Sequence, residues 1–227
     1  MEIKECYVGQ FKVRPKKRWT PWENTIAYYP LKDNFNDASG NNRNLVNSWA
    51  VITTQDWLKC WYYNWNSYSA FNGFSLWNTA RTISTWVYCT WTSWVWWVVH
   101  ISDGSLTPTW SLGIQFTNWK ARVWFSDRAS SGASLYTNVS VWWHNVITTQ
   151  SGATTKLYVD GALIGTISNF PSQSRSPTWW AVWSKYYSSH SEKITWYISE
   201  VILENKERTA QEVADYYNQT KLEYGIS

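Results

Sequence analysis

From Thr25 onward, the sequence alternates between short runs rich in Val, Ile, Thr and aromatic residues and short clusters of Ser, Asn, Asp and Gly. Such runs, bounded by turn-forming residues, are typical of β-strands. The run 81–90 has the period of two that a strand needs. One predicted face holds Ile83, Thr85, Val87 and Cys89, and the other holds Ser84, Trp86 and Tyr88. Many short strands predict an all-β sandwich, for which 227 residues is a normal length.

Other segments extend this prediction. Further strands are expected within 25–31, 144–150, 155–167 and 196–205. The third segment contains Asp160-Gly161 between two apolar halves, which is a strong signal for a two-residue hairpin turn. The segment 32–42 is built from turn-forming residues and is predicted to be a loop.

One helix is predicted near the C-terminus, over residues 208–224. Thr209 and Glu212 form a capping-box pattern, which satisfies free amides at a helix start. Ala210, Val213 and Tyr217 recur at helical spacing and predict one apolar stripe. This helix is therefore expected to pack as a lid on the sandwich.

Three stretches together resemble one family. They are "YYPLKDNFNDASGNNRNL" (28–45), "WHNVITTQSGATTKLYVDGALIG" (143–165) and "YISEVILENKERTAQEVADYYN" (197–218). Their order and spacing are similar to those of laminin-G-like, concanavalin A-type jelly rolls. The resemblance implies an antiparallel two-sheet jelly-roll sandwich with one short C-terminal helix. It also implies binding of carbohydrate or another surface ligand, as in adhesion proteins, with calcium held by some members.

The predicted domain organisation is a sandwich over 25–227 preceded by a basic arm over 1–24. The arm's cations are Lys12, Arg14, Lys16, Lys17 and Arg18, and prolines 15 and 21 break any helix there. An attachment arm, a polyanion contact and a solvated linker are all compatible with this composition.

Several classes of protein are disfavoured by composition. The net charge of +4 does not favour a nucleic acid partner. A membrane span needs about 18 consecutive apolar residues, and the sequence has no such run. The first residues lack the hydrophobic core of a secretory signal. Neither a disulfide framework nor a zinc site is suggested by the spacing of Cys6, Cys60, Cys89, His100, His144 and His190.

The turn Asn118-Trp119 within 111–127 is anomalous, because a two-residue hairpin turn prefers Asn-Gly. The chain has 21 Trp but 10 Gly, whereas average usage would give about 16 Gly. Tryptophan also stands in other places where a small residue is expected: Trp49, Trp57, Trp65, Trp94, Trp142, Trp179 or Trp180, Trp183 and Trp196. An aromatic residue is plausible at Trp22, Trp86 and Trp143.

One hypothesis accounts for both the excess of tryptophan and the shortage of glycine. Some bacterial lineages read the codon UGA as Gly, and others read it as Trp. A gene from a UGA-Gly bacterium or its phage, translated with the UGA-Trp code, would show Trp at those glycines. The alternative is that the tryptophans are genuine and form stacking platforms for sugars. Under recoding, the Trp-rich segment 91–97 carries no weight as a ligand site.

No catalytic motif is found in the sequence. Glucanases of this fold place carboxylates at alternating positions on one strand, about 5 Å apart in retaining enzymes. The nearest approach here is Glu200 and Glu204, on a strand expected to be structural. The chain is therefore predicted not to be an enzyme, with a divergent glycoside hydrolase or lyase as the alternative.

The predicted ligand-binding residues combine rings and amides: Tyr62, Tyr63, Asn64, Asn66 and Tyr68. Arg81, Lys120 and Arg122 add positive charge that would suit an acidic glycan. Calcium is the one candidate cofactor, with Asp33, Asp37 and Asn41 as oxygen ligands. For all three sets, ordinary turn, sheet and surface roles are the competing interpretation.

The predicted function is non-catalytic recognition of a cell-surface glycan or protein. Binding outside cells without a visible signal sequence suggests a phage tail or fibre protein, with a bacterial surface adhesin as the second setting. The expected location is thus the virion or the cell surface, in an oligomer or a larger virion assembly. A purely structural virion decoration domain is the third alternative.

Overall fold

The structure is a computed structural model that describes residues 6–8, 11–13, 21–63, 68–72, 80–90, 95–102, 110–127, 134–168, 179–182 and 196–227. The described strands in the first half of the chain are β1 (Cys6–Val8), β2 (Phe11–Val13), β3 (Thr25–Tyr29), β4 (Val46–Ser48), β5 (Val51–Gln55), β6 (Leu58–Tyr63), β7 (Tyr68–Asn72), β8 (Arg81–Tyr88) and β9 (Val95–Ser102). The later strands are β10 (Trp110–Thr117), β11 (Lys120–Asp127), β12 (Ser134–Asn138), β13 (Trp143–Ser151), β14 (Thr154–Val159), β15 (Ala162–Ile167), β16 (Trp179–Val182) and β17 (Trp196–Glu204). Helix α1 (Ala210–Thr220) and a 3-10 helix (Lys221–Tyr224) end the chain.

These strands form two large antiparallel sheets and one small one. The seven-stranded sheet has the order β12-β11-β10-β9-β16-β7-β4. The eight-stranded sheet has the order β15-β14-β13-β8-β17-β6-β5, and β3 pairs with β17 beside β6. The predicted all-β fold class, with one short C-terminal helix, is confirmed.

The main core lies between the two large sheets. It joins Val99 and Ile114 of the seven-stranded sheet to Val87 and Val146 of the eight-stranded sheet. Ile83 and Val87 of β8, and Cys89 just after it, face this core, whereas Trp86 packs on the opposite side. The alternation predicted for residues 81–90 is therefore confirmed.

The outer face of the eight-stranded sheet carries a second core beneath the C-terminal helices. Trp86 is fully buried there, stacks on Tyr224 with ring centroids 3.8 Å apart, and donates from Nε1 to Thr220 Oγ1 at 3.2 Å. The lid position predicted for the helix is thus confirmed. Trp86 and Trp143, which were expected to be genuine aromatics, are both core residues.

Helix α1 begins as predicted, and two of the three residues of the predicted apolar stripe, Val213 and Tyr217, pack against the second core. Thr209 Oγ1 accepts from the Glu212 amide at 3.2 Å, and Glu212 Oε2 accepts from the Thr209 amide at 2.8 Å. The buried face runs through Val213, Tyr216 and Thr220, while Ala210 is exposed. Ala210 was assigned to the stripe wrongly, because spacing fixes a face but not which turn of the helix reaches the sheet.

Several tight turns adopt the left-handed backbone that glycine tolerates best, among them the following three. Asp160-Gly161 has φ of 51° and 79°, and Asn118-Trp119 has φ of 44° and 66° in an equivalent hairpin. Trp49, between β4 and β5, has φ of 67°. Asn118-Trp119 thus adopts the hairpin-turn conformation that favours Asn-Gly, and a tryptophan occupies its second central position.

Of the predicted arm over 1–24, the structure describes the antiparallel strands β1 and β2 and residues 21–24. Lys12 lies in β2, and the other four predicted cations of the arm lie outside the described residues. Trp22 lies under Lys206 and Arg208, whose cationic groups are 4.8 and 5.0 Å from its ring.

Candidate functional site

The predicted tyrosine site is divided between the two sheets. Tyr62 and Tyr63 lie on β6 of the eight-stranded sheet, whereas Tyr68 lies on β7 of the seven-stranded sheet. Tyr63 is fully buried, its hydroxyl is 3.1 Å from Ser69 Oγ, and burial raises the pKa of its phenol. Tyr63 is therefore a core residue, and its inclusion as a ligand contact was wrong. Asn64 and Asn66 lie outside the described residues.

Tyr62 instead belongs to a row of rings on the outer face of the eight-stranded sheet. Its ring centroid is 5.4 Å from that of Tyr197, which is 5.9 Å from that of Tyr88. Tyr88 is 6.2 Å from Trp142, which is 6.2 Å from Trp57. We call these five residues the outer aromatic row. Trp57 is 57% exposed and the other four are half-buried, so the row presents ring surface to solvent.

Polar groups border the outer aromatic row at the β5–β6 turn. The Gln55 side chain and the Asp56 carboxylate both lie close enough to the Tyr88 phenol to affect its pKa, and Asp56 also acts electrostatically on Tyr197. Burial is the larger cause of the raised pKa of both phenols, and Asp56 adds to it. Aromatic faces beside hydroxyl, amide and carboxylate groups suit a ligand with an apolar face and a hydroxyl edge.

A second polar surface lies on the outer face of β10, β11 and β12. Gln115, Arg122 and Tyr136 are directly paired across these three strands. The alternating residues Ile114, Ala121 and Val123 face the main core, so this set faces outward. Two of the predicted cations, Lys120 and Arg122, are thus brought together here. The third, Arg81, is buried in the eight-stranded sheet, where burial lowers its pKa to about 10, so its assignment to a surface was wrong.

The three predicted calcium ligands have separate partners. Asp37 accepts from the amides of Tyr28 and Ser39, both at 2.9 Å, and of Arg43 at 3.0 Å. Asp33 pairs with Lys59 at 2.9 Å. Asn41 Nδ2 donates to two backbone oxygens of β3, at 2.9 and 3.0 Å. Across the described ranges, no group of three or more His, Cys, Asp or Glu is arranged for a metal ion. The residues present do not fit a shared calcium site.

Asp37 instead organises the loop that follows β3. Replacing Asp37 by Ala is expected to lower the free energy of unfolding by about 1–3 kcal/mol, because three amides lose their acceptor. Denaturant unfolding measures this change. Asp33→Ala is the matched control, expected to cost less than about 1 kcal/mol because its ion pair is exposed. Equal effects from both variants would contradict this role of Asp37.

The carboxylates nearest to a catalytic pair serve the fold. Glu200 is buried and accepts from Tyr28 Oη at 3.0 Å and from Tyr216 Oη. Glu204 is fully buried in a two-point ion pair with Arg208, at 2.6 and 2.9 Å. Both side chains are therefore engaged beneath α1, and neither is available to a bound sugar.

Glu200 makes stability depend on pH. Burial raises its pKa, and the hydrogen bonds from Tyr216 and Tyr28 offset part of that shift. Since the folded protein then holds this proton more tightly than the unfolded chain does, Glu200 lowers stability as pH rises from about 4.3 through its folded pKa. The unfolding free energy of Glu200→Gln relative to wild type should therefore increase over that range. A difference between the two proteins that is constant from pH 4 to 8 would contradict this.

Ser140, His144 and Asp160 form a chain with the order of a hydrolase triad, with contacts of 3.2 Å (Ser140 Oγ to Nε2) and 2.7 Å (Nδ1 to Asp160 Oδ2). However, His144 Nε2 lies equally far, 3.2 Å, from the Ser140 carbonyl oxygen. The other Asp160 oxygen accepts from the Asn145 amide at 3.0 Å. These contacts connect the turn at Asp160 to the start of β13. We therefore assign a structural role to the hydrogen bonds that link Ser140, His144 and Asp160.

Within the described residues, no helix has the length and apolar character needed to cross a membrane. A search of curated protein sequences gives no match. Solved structures share the fold at low sequence identity. The binding domain of Paraclostridial Mosquitocidal Protein 1 has a TM-score of 0.69 and 16% identity, over 86% of this chain and 52% of that one.

Domain 4 of AbnA, a GH43 extracellular arabinanase from Geobacillus stearothermophilus solved with arabinotriose, has a TM-score of 0.70 and 13% identity, over 86% of this chain and 98% of that one. A third similar structure is of botulinum neurotoxin type C, a toxin whose cell entry depends on interaction with two ganglioside molecules. It has a TM-score of 0.65 and 15% identity, over 86% of this chain and 51% of that one. This chain thus spans about half the length of the toxin chains it matches.

The sequence itself also matches a family model. The model describes the concanavalin A-like lectin/glucanases superfamily, and it matches residues 64–214, which is more than half of the chain. This match agrees with the antiparallel two-sheet architecture and with the motifs at 143–165 and 197–218. The chain therefore belongs to the concanavalin A-like lectin/glucanases superfamily.

Proposed function

We propose that this domain recognises carbohydrate outside the cell without cleaving it. The observation that carries the proposal is the outer aromatic row, in which partly exposed rings lie beside the polar groups of Gln55 and Asp56. A sugar ring can lay its apolar face on such rings and direct its hydroxyls to the polar groups. Three members of the row are tyrosines, whose identity does not depend on how UGA codons are read.

The similar structures support a binding role. One is solved with arabinotriose, and another concerns a toxin whose cell entry depends on gangliosides. The alternative, a glycoside hydrolase or lyase, is less well supported because Glu200 and Glu204 are engaged beneath α1. Reducing-sugar release from candidate polysaccharides tests this alternative, with Glu200→Gln as the control variant.

Calorimetric titration with arabinotriose, and with any glycan retained on an array, tests the proposal. Tyr62→Ala and Tyr197→Ala are expected to weaken binding roughly two- to tenfold, as is usual for loss of one aromatic contact. Leu163→Ala is the matched control, since Leu163 is 52% exposed on β15 at the opposite edge of the same sheet. Unchanged affinity in both tyrosine variants would overturn the proposed site.

Calcium is expected to leave binding and melting temperature unchanged, which a titration with calcium chloride checks.

We also propose that a phage tail or fibre, or a bacterial surface adhesin, provides the setting for this binding domain. Both settings place a glycan-binding sandwich outside the producing cell, in an oligomer or a virion assembly. A decoration domain without a ligand is the structural alternative. The genes beside this one distinguish these settings, because tail and baseplate genes accompany the first and export or anchoring genes accompany the second.

The UGA hypothesis is retained as a proposal, and the backbone supports it at two positions. Trp49 and Trp119 have φ of 67° and 66°, a conformation that is rare for bulky residues, and Trp49 is 79% exposed. Trp57 follows Asp56 in its turn, but its own φ is not positive, so that turn does not require glycine at Trp57. The codons decide the matter: UGA at Trp49 and Trp119 supports recoding, and UGG at both overturns it.

A further inference from the structure

We propose that the outer face of β10–β12 binds the carboxylate of an acidic sugar, through Arg122 and Lys120. The inference rests on the proposed function, because it adds a ligand class and a second surface to a carbohydrate-binding domain. Gln115, Lys120, Arg122, Trp124 and Tyr136 define this surface, which we call the basic face.

Strand register places these side chains together. Gln115 pairs with Arg122, which pairs with Tyr136 on the next strand. Directly paired residues carry their side chains on the same face, about 5 Å apart. Lys120 and Trp124 lie two positions before and after Arg122 on β11, so they share its face. The basic face thus spans three neighbouring strands at one edge of the sheet.

Both cations are held against aromatic rings. The Arg122 guanidinium lies 4.0 Å from the centroid of the Trp124 ring, and Lys120 Nζ lies 4.4 Å from that of Tyr136. A stacked guanidinium keeps its N–H donors in its own plane, where they match the two oxygens of a carboxylate. Tyr136 is 55% exposed, which leaves ring surface for the apolar face of the same sugar. The Lys120–Tyr136 pair contains no tryptophan and is unaffected by codon assignment.

Among the described side chains of β10, β11 and β12, the charge of the basic face has no counterpart. The described side chains of β10, β11 and β12, within 112–124 and 134–138, include two cations and no carboxylate. Burial lowers the pKa of Arg122, so its charge is partly removed from water. The Arg122 Nε and Gln115 Oε1 atoms are buried without a hydrogen-bond partner among the described residues. A carboxylate would supply the opposite charge and the acceptor that Arg122 Nε lacks, and a hydroxyl of the same sugar would supply the donor that Gln115 Oε1 lacks.

The test compares acidic sugars with neutral counterparts of the same linkage. Trigalacturonate is paired with α-1,4-linked galactotriose, and 3′-sialyllactose is paired with its carboxamide, by calorimetric titration at low and moderate salt. At least one acidic sugar should bind more tightly than its neutral counterpart, and added salt should reduce the difference. An oligothymidylate of similar charge is the third probe, and equally tight binding of it would overturn recognition of a sugar.

Three variants locate the contact. Arg122→Gln should weaken the acidic sugar roughly tenfold to hundredfold, as expected for loss of a charge-assisted hydrogen bond, and leave the neutral sugar unchanged. Arg122→Lys, which keeps the charge but not the planar fork, should fall between Arg122→Gln and wild type. Lys59→Gln is the control, because it removes one exposed positive charge from the other sheet. Equal losses in Arg122→Gln and Lys59→Gln would overturn the assignment of the basic face.

The outcomes separate this inference from the proposed function. Neutral glycans that bind at least as tightly as acidic ones would overturn the inference and leave the proposed function standing. Failure of every sugar on a broad array to bind would overturn both. Thermal unfolding of each variant confirms that a loss of affinity is not a loss of folded protein.

Discussion

Replacing Arg208 by Met is expected to lower the free energy of unfolding by about 3–5 kcal/mol. Arg208 and Glu204 are both fully buried, and the guanidinium contacts both carboxylate oxygens of Glu204, at 2.6 and 2.9 Å. The variant leaves the Glu204 carboxylate buried without its cation. This costs far more unfolding free energy than the loss of an exposed ion pair does. The pair also joins the end of β17 to the start of α1, so its loss should loosen the helix over the second core. Denaturant unfolding followed by circular dichroism measures the change.

Two further variants separate the buried charge from other effects of the substitution. The double variant Arg208→Met with Glu204→Leu should recover much of the stability, because it removes the unpaired charge together with its partner. Lys59→Met breaks an exposed ion pair with Asp33 and should change stability by less than about 1 kcal/mol. If the unfolding free energy of the single variant Arg208→Met lay within about 1 kcal/mol of the wild-type value, this role of the ion pair would be contradicted.

Glycine at Trp49 and Trp119 is expected to raise the free energy of unfolding, by about 1.5 kcal/mol for the double variant. A residue with a side chain loses about 1–2 kcal/mol in the left-handed conformation, and both tryptophans adopt it. The greater entropy of glycine in the unfolded chain, about 0.5–1 kcal/mol per site, offsets part of this gain. The effect is large because two strained turns are relieved at once.

The opposite result is expected at a tryptophan that packs in a core. Trp86→Gly should lower the free energy of unfolding by at least about 3–5 kcal/mol, because the ring is fully buried and stacked on Tyr224. Thermal and denaturant unfolding of the two variants in parallel give the comparison. Destabilisation of similar size in both would mean that the tryptophans at the turns are native to this fold.

Local chemistry let the sequence predict much of this architecture. Alternation at 81–90 gave the correct inner and outer faces of β8, and Asp160-Gly161 gave the correct hairpin. The Thr209–Glu212 capping box located the start of α1. Each of these features depends on residues close together in the chain, where periodicity and turn chemistry act directly.

The candidate site depended on contacts that local patterns do not encode. Tyr62 and Tyr63 are neighbours in sequence, yet alternation sends one to the outer aromatic row and the other to the core. The row joins residues from β6, β8 and β17, and only the order of strands in the sheet brings them side by side. A register shift in β17 between Ile198 and Glu200 also alters which residues face outward after it. Clustering by sequence proximity therefore selected a partly incorrect set.

The central claim is that this sandwich binds a sugar without cleaving it. The most direct test exposes the protein to a broad array of glycans and then analyses the retained glycan by mass spectrometry. The account predicts saturable retention of at least one glycan, recovered at its original mass after prolonged incubation. Recovery of shorter products, or retention of no glycan at any protein concentration used, would contradict it.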